Sequence, residues 1–143
     1  NLSAFDIPQN HILQANDILF AAKGSKNFAA VYEKHNLPAL ASSSFFVIRL
    51  NVNTVVPKFI AWFLNHPETQ AVLKTKAKGT AIPSITKNAL CNMDIHIPSI
   101  ENQKTILLIS DLYQKEKFLK QQIEILRENQ IQQQIFKLLR NDD

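Results

Sequence analysis

The run "SIENQKTILLISDLYQKEKFLKQQIEILRENQIQQQIFKLLR", Ser99 to Arg140, contains neither glycine nor proline. Nothing in it interrupts a helix, so one long helix is the simplest reading. Ser99 is a suitable N-cap, and Glu101 lies in the first turn, where a carboxylate meets the positive end of the helix dipole. Ile109, Leu112, Leu119, Ile123 and Leu126 follow the a/d positions of a heptad, with Glu116 as its polar interruption. After Leu126 the stripe shifts to Ile131, Ile135 and Leu138, as a four-residue stutter makes it do. At 1.5 Å per residue such a helix reaches roughly 60 Å. A domain of about 100 residues, with a radius of gyration of about 13 Å, is about half as long. The helix is therefore expected to outrun its own domain. Ile106 to Ile109 are expected to pack on that domain, whereas the seam beyond Leu119 calls for a second helix, because an apolar stripe left in water is an association site.

Upstream of this helix the period changes. Residues 1 to 50 read mainly as strands: "NDILFAAKG" from Asn16, "NFAAVYE" from Asn27 and "ALASSSFFVIRL" ending at Leu50, with polar breaks at "KGSKN" and "KHNLP". Residues 54 to 78 read as two helices. Pro57 suits a first turn, and Phe59, Ile60, Phe63 and Leu64 share a face flanked by Trp62. Asn65-His66-Pro67 ends the first helix, and Pro67 opens a second with Glu68 at its start and Ala71 and Leu73 on it. Residues 79 to 98 return to loop and strand, since Met93, Ile95 and Ile97 alternate with Asp94 and His96. The predicted fold is α+β: a small mixed-sheet domain with short helices over residues 1–98, followed by a long C-terminal coiled-coil helix over 99–143.

Formal net charge is +4, and residues 101 to 143 carry seven basic and seven acidic side chains, so the whole excess lies upstream. A basic excess confined to one domain suits a polyanionic partner and equally suits plain solubility. Cys91 is the only cysteine, which leaves no intrachain disulfide and no zinc ribbon and points to a reducing, cytoplasmic setting. No apolar run is long enough to span a membrane. His11, His35, His66 and His96 are scattered singly, and with two glycines in the chain a phosphate-cradling loop is nearly excluded. No catalytic constellation, metal site or cofactor is expected.

Five stretches stand in a telling order: "NDILFAAKGS" at Asn16, "LASSSFFVIRL" at Leu40, "VPKFIAWFLN" at Val56, "KGTAIPSITKNAL" at Lys78 and "IHIPSIENQKTI" at Ile95. Together with the long helix behind them they resemble DNA specificity subunits of type I restriction-modification enzymes. The resemblance implies a target recognition domain, lacking its N-terminal part, and one conserved helical region: a half subunit, since such subunits typically carry two of each. Implied partners are double-stranded DNA and methyltransferase subunits, with the restriction subunit as a further member of the complex. Asn102 departs from the family, which usually has Glu before Gln103.

The resemblance gives the basic loops a mechanism. In "KTKAKGTAIPSITKNAL", Lys74 to Leu90, four lysines occur without an acid. Lys74, Lys76, Lys78 and Lys87 can neutralise phosphates, Gly79 allows close backbone approach, and Thr80, Ser84 and Asn88 add hydrogen-bonding groups. A second loop offers Lys23, Ser25, Lys26 and Asn27, the last a candidate for adenine. Ile82, Pro83 and Ile85 read as the anchor of their loop. Solvated loops with no ligand are the plain alternative.

The expected function is therefore sequence-specific DNA binding without catalysis, reading one half of a split target. Self-association is expected through Ile109, Leu112, Leu119, Ile123, Leu126, Ile131, Ile135 and Leu138, in an antiparallel pair that turns one recognition half into two. Two other readings stay open: a coiled-coil adaptor without DNA binding, and an enzyme completed by residues upstream.

Overall fold

A computed structural model describes residues 5–6, 12–24, 26–33, 39–77 and 83–141. It contains β1 (Phe5–Asp6), β2 (Ile18–Ala21), β3 (Ala29–Val31), β4 (Phe45–Leu50), α1 (Pro57–Asn65), α2 (Pro67–Thr75), α3 (Lys87–Cys91) and α4 (Ile100–Asn141). The chain divides into two compact units, Asn1–Leu107 and Leu108–Asp143. The architecture is α+β with a long C-terminal helix, as the sequence predicts.

In the first unit the strands form one sheet in the order β1-β4-β2-β3, and every described pairing is antiparallel. Pairing Ile18 with Ile48 and Phe20 with Phe46 puts these four on one face, as alternation requires. That face packs on α1 through Phe59, Ile60 and Leu64, and the core continues through Leu73 of α2 and Ile85, Leu90 and Met93 further on. Pro57 and Pro67 each occupy a first helical turn, where their missing N–H costs nothing. Trp62 is half-buried and stacks on Phe59 with ring centroids 5.7 Å apart.

Asn65 explains where α1 ends against the sheet. Its Oδ1 accepts from the Ala29 N–H at 2.8 Å and its Nδ2 donates to the Ala29 carbonyl at 2.7 Å. A side-chain amide thus completes one residue of β3, an edge strand whose outer backbone groups would otherwise be bare.

Two local expectations are corrected. Residues 93 to 97 form no ladder, although Met93, Ile95 and Ile97 still turn inward more than Asp94 and His96. Period two reports an extended backbone with one covered side, which needs no pairing strand. Lys87–Cys91 is a helix and not a loop: Thr86 caps it, with its Oγ1 accepting from the Ala89 N–H at 3.2 Å. The helix α2 carries Ala71 and Leu73 as expected, and its buried side is formed by Thr69 and Leu73.

The first turns of α4 belong to the same unit. Ser99 caps the helix, its Oγ accepting from the Asn102 N–H at 3.3 Å. Gln103 is fully buried. Its Oε1 accepts from the Val56 N–H at 2.8 Å, and its Nε2 donates to the carbonyls of Thr54 at 2.9 Å and Pro98 at 2.8 Å. Ile106 and Leu107 pack against the core, whereas Ile109, expected to do so, is 61% exposed.

In the second unit the seam residues Leu112, Leu119, Ile123, Leu126, Ile131, Ile135 and Leu138 are all exposed, as are Phe118, Ile125, Phe136 and Leu139. Lys120 and Glu116 pair at 2.6 Å, and this hydrogen bond, with the charge behind it, holds the lysine above its ordinary range. Among the described residues no helix is long and apolar enough to cross a membrane.

Candidate nucleic-acid interface

The loop after β2 is built by backbone hydrogen bonds at both ends. The Ala21 N–H donates to the Phe28 carbonyl at 2.8 Å, and Asn27 Nδ2 donates to the Ala21 carbonyl at 2.9 Å, so the base of the loop is closed twice. Gly24 adopts φ +102°, in the region that favours glycine. No atom within 4 Å would meet an added Cβ there, so backbone conformation, and not space, selects the residue.

A second segment is zipped to this loop. The Gly24 N–H donates to the Pro83 carbonyl at 3.0 Å and the Ile85 N–H to the Ala22 carbonyl at 2.8 Å, with Lys23 and Ser84 paired between them. Ile85, 1% exposed, anchors the segment in the core, while Pro83 is exposed and contributes through its carbonyl. The two basic loops singled out in the sequence thus meet, although Lys23 and Ser84 are far apart in the chain.

The resulting surface carries Lys23 and Lys26 on one loop, Ser84 across the bridge, and Lys87 with Asn88 on the first turn of α3. All but the half-buried Ser84 are exposed. Asn27 serves first as the staple of its loop. Phe28, 49% exposed and held edge-on by Phe45 at 6.3 Å, stands at the loop's exit. Sequence reading missed it, because an aromatic beside a strand normally signals core. Lys74 lies in the last turn of α2, where the helix dipole already favours a cation, and Lys76 is its C-cap. Among the described residues, no hydrogen bond or ion pair links these two to the zipped loops, and Lys23, Lys26, Lys74, Lys76 and Lys87 enter no ion pair. Ser25, Lys78, Gly79, Thr80 and Ile82 lie outside the described residues.

A paired loop bearing unneutralised lysines, a hydroxyl, an amide and one aromatic ring has the parts for phosphate contact and base-edge contact. The model of one protein family, the type I restriction modification DNA specificity domain, matches residues 4–128. The chain belongs to that family. No curated protein matches it. As a DNA specificity domain of a type I restriction-modification system, it has a role in DNA sequence specificity.

The residues that carried the resemblance have structural work in this specificity domain. Asn16 adopts φ +72°, which Asn tolerates better than most residues. Asp17, 1% exposed, takes a bidentate grip on Arg49, with Nε–Oδ1 at 2.8 Å and Nη2–Oδ2 at 2.7 Å, and its Oδ2 also accepts from the Gln14 N–H at 2.7 Å. This pair fixes the turn before β2 to β4. Asn102, where the sequence departs from the family pattern, is exposed, and its side chain makes no described hydrogen bond.

Proposed function

We propose that the chain binds duplex DNA through the zipped loops, with Lys23, Lys26 and Lys87 on phosphates and Ser84, Asn88 and Phe28 toward base edges. The observation that carries this reading is the pairing of residues 22–24 with 83–85, which assembles the basic side chains on one scaffold. Phosphate contacts set register, and the polar and aromatic groups supply discrimination, Phe28 through apolar contact with a thymine methyl group. Lys74, Lys76, Lys78, Gly79 and Thr80 extend the surface by further phosphate contact. This reading assigns recognition to residues 1–98 and assembly to the helix that follows, whose first turns, through Leu107, are also packed into the first unit.

The chain reads one half of a split target, carries out no cleavage or methyl transfer itself, and works in the cytoplasm within a complex. Its α4 seam pairs with a second copy, and the further apolar residues Phe118, Ile125, Phe136 and Leu139 dock helices of methyltransferase subunits. Support comes from their exposure, since water-facing residues of this size repeat along the whole second unit.

Selection of bound duplexes from a randomised pool tests the reading. One enriched sequence is expected. Retention of DNA without any enrichment, or no retention at moderate salt, refutes it, the second outcome favouring a coiled-coil adaptor.

A further inference from the structure

We infer that Asn65, on α1, is a positioning residue for sequence readout: it sets the exit of the β2–β3 loop, from which Phe28 reaches a base edge. The inference rests on the DNA binding proposed above and names a residue that acts on it without touching DNA. Three consecutive residues are held where this loop enters β3. Asn27 Nδ2 donates to the Ala21 carbonyl at 2.9 Å, and the Phe28 carbonyl accepts from the Ala21 N–H at 2.8 Å. In an antiparallel pair the backbone groups of successive residues face alternate sides of the strand, so those of Ala29 point away from β2. There Asn65 takes both, accepting from the N–H at 2.8 Å and donating to the carbonyl at 2.7 Å. Phe28 is thus fixed from β2 on one side and from α1 on the other.

Asn65 is held firmly enough to act as a fixed point. It ends α1, and the corner behind it is closed: the His66 N–H donates to the Phe63 carbonyl at 3.1 Å, Gln70 Nε2 donates to the Leu64 carbonyl at 2.6 Å, and the rings of Trp62 and His66 lie 5.3 Å apart. Phe59, Ile60 and Leu64 bury the other face of the helix in the core. Lys58, about two turns back, meets Glu33 beyond the far end of β3 at 3.8 Å. Those turns rise roughly 10 Å, which matches the run from Ala29 to Glu33 at about 3.3 Å per residue, so α1 runs along β3 in the opposite direction. Asn65 itself is exposed, so truncating it leaves no cavity in the core.

Phosphate contact and base contact differ in what they demand of this loop. A lysine on a flexible stem finds a phosphate over a range of positions, and its attraction falls off slowly with distance. Discrimination at a base edge depends on where the ring stands. Releasing Ala29 from Asn65 therefore leaves Lys23 and Lys26 able to neutralise phosphates but removes one constraint on Phe28, whose ring keeps only Phe45, edge-on at 6.3 Å, and the bonds to Ala21 behind it. Specificity is lost, and the electrostatic part of binding is kept.

Base preferences selected from a randomised duplex pool test the assignment, with the full chain and its variants Asn65→Ala, Phe28→Ala and Gln103→Ala. The last loses its hydrogen bonds to Thr54, Val56 and Pro98 and so weakens the same unit without touching the loop. Partial unfolding lowers the active fraction for every duplex alike and leaves preferences unchanged, so this variant separates stability from positioning. Asn65→Ala is expected to relax preference by about tenfold at the base pairs that Phe28→Ala relaxes and nowhere else, with the salt dependence of binding unchanged. Asn65→Asp keeps the acceptor for the Ala29 N–H; it is expected to relax the same positions less, and it decides the matter if the alanine variant does not fold. Wild-type preferences in the folded Asn65 variant overturn the inference, as does equal relaxation in Gln103→Ala or a Phe28→Ala profile identical to wild type, and all three results leave DNA specificity standing. No enriched sequence with the wild type overturns the proposed function itself, and the inference with it.

Discussion

Replacing Gln103 by Ala removes the side chain that joins α4 to the segment before α1. Three hydrogen bonds go with it, to the Val56 N–H and the carbonyls of Thr54 and Pro98. At about 1 kcal/mol net for each bond, the loss is about 3 kcal/mol. Thr54 is exposed and Pro98 half-buried, so water can reach their carbonyls and the cost stays near that figure instead of the full desolvation penalty. Urea unfolding followed by the fluorescence of Trp62, the only tryptophan, reports on this unit. With a slope of about 1.5 kcal/mol/M, the midpoint should fall by about 2 M. Gln103→Glu keeps the acceptor for Val56 but aims a carboxylate at two carbonyl oxygens. Burial among acceptors raises its folded pKa above the unfolded value, so the stability of that variant is greatest in acid and falls as pH rises through the folded pKa. Asn102→Ala, one residue away and exposed, should stay within about 0.5 kcal/mol of wild type. A Gln103→Ala midpoint equal to that of Asn102→Ala would refute the reasoning.

Other substitutions probe the remaining joints by the same unfolding measurement. Asn65→Ala strips both backbone partners from Ala29 and should cost about 2 kcal/mol, while Asn65→Asp, which can accept but not donate, should also destabilise. Asp17→Ala leaves the Arg49 guanidinium without its carboxylate and should cost about 3 kcal/mol or more. Asn16→Gly should be tolerated at the positive φ, whereas Asn16→Val should cost about 1–2 kcal/mol.

Elements with a long period or a proline were legible in the sequence. Pro57 and Pro67 mark α1 and α2, Ser99 and an unbroken run mark α4, and apolar runs between polar breaks mark β2, β3 and β4. What escaped depends on partners distant in the chain or on elements too short for a period. The five residues of α3 cover little more than one turn, and only the capping Thr86 announces them. Asp17 and Arg49 are 32 positions apart, and no local pattern links a charge inside an apolar run to its counter-ion. The candidate site was half legible: both basic loops were visible as compositions, but their meeting through Lys23 and Ser84 is a tertiary fact. Lys74 was visible for the same reason, yet its place in the last turn of α2 gives it a structural role as well.

The salt dependence of duplex binding tests most directly whether the zipped loops are the DNA surface. Binding constants of wild type and of the Lys23→Ala/Lys26→Ala variant are compared across a series of salt concentrations. Two exposed lysines on phosphates should each contribute about 0.9 to the log-log slope, so the variant's slope should be shallower by up to about 1.8, with weaker binding at every salt concentration. An unchanged slope in a folded variant would contradict the account and take this loop out of the interface.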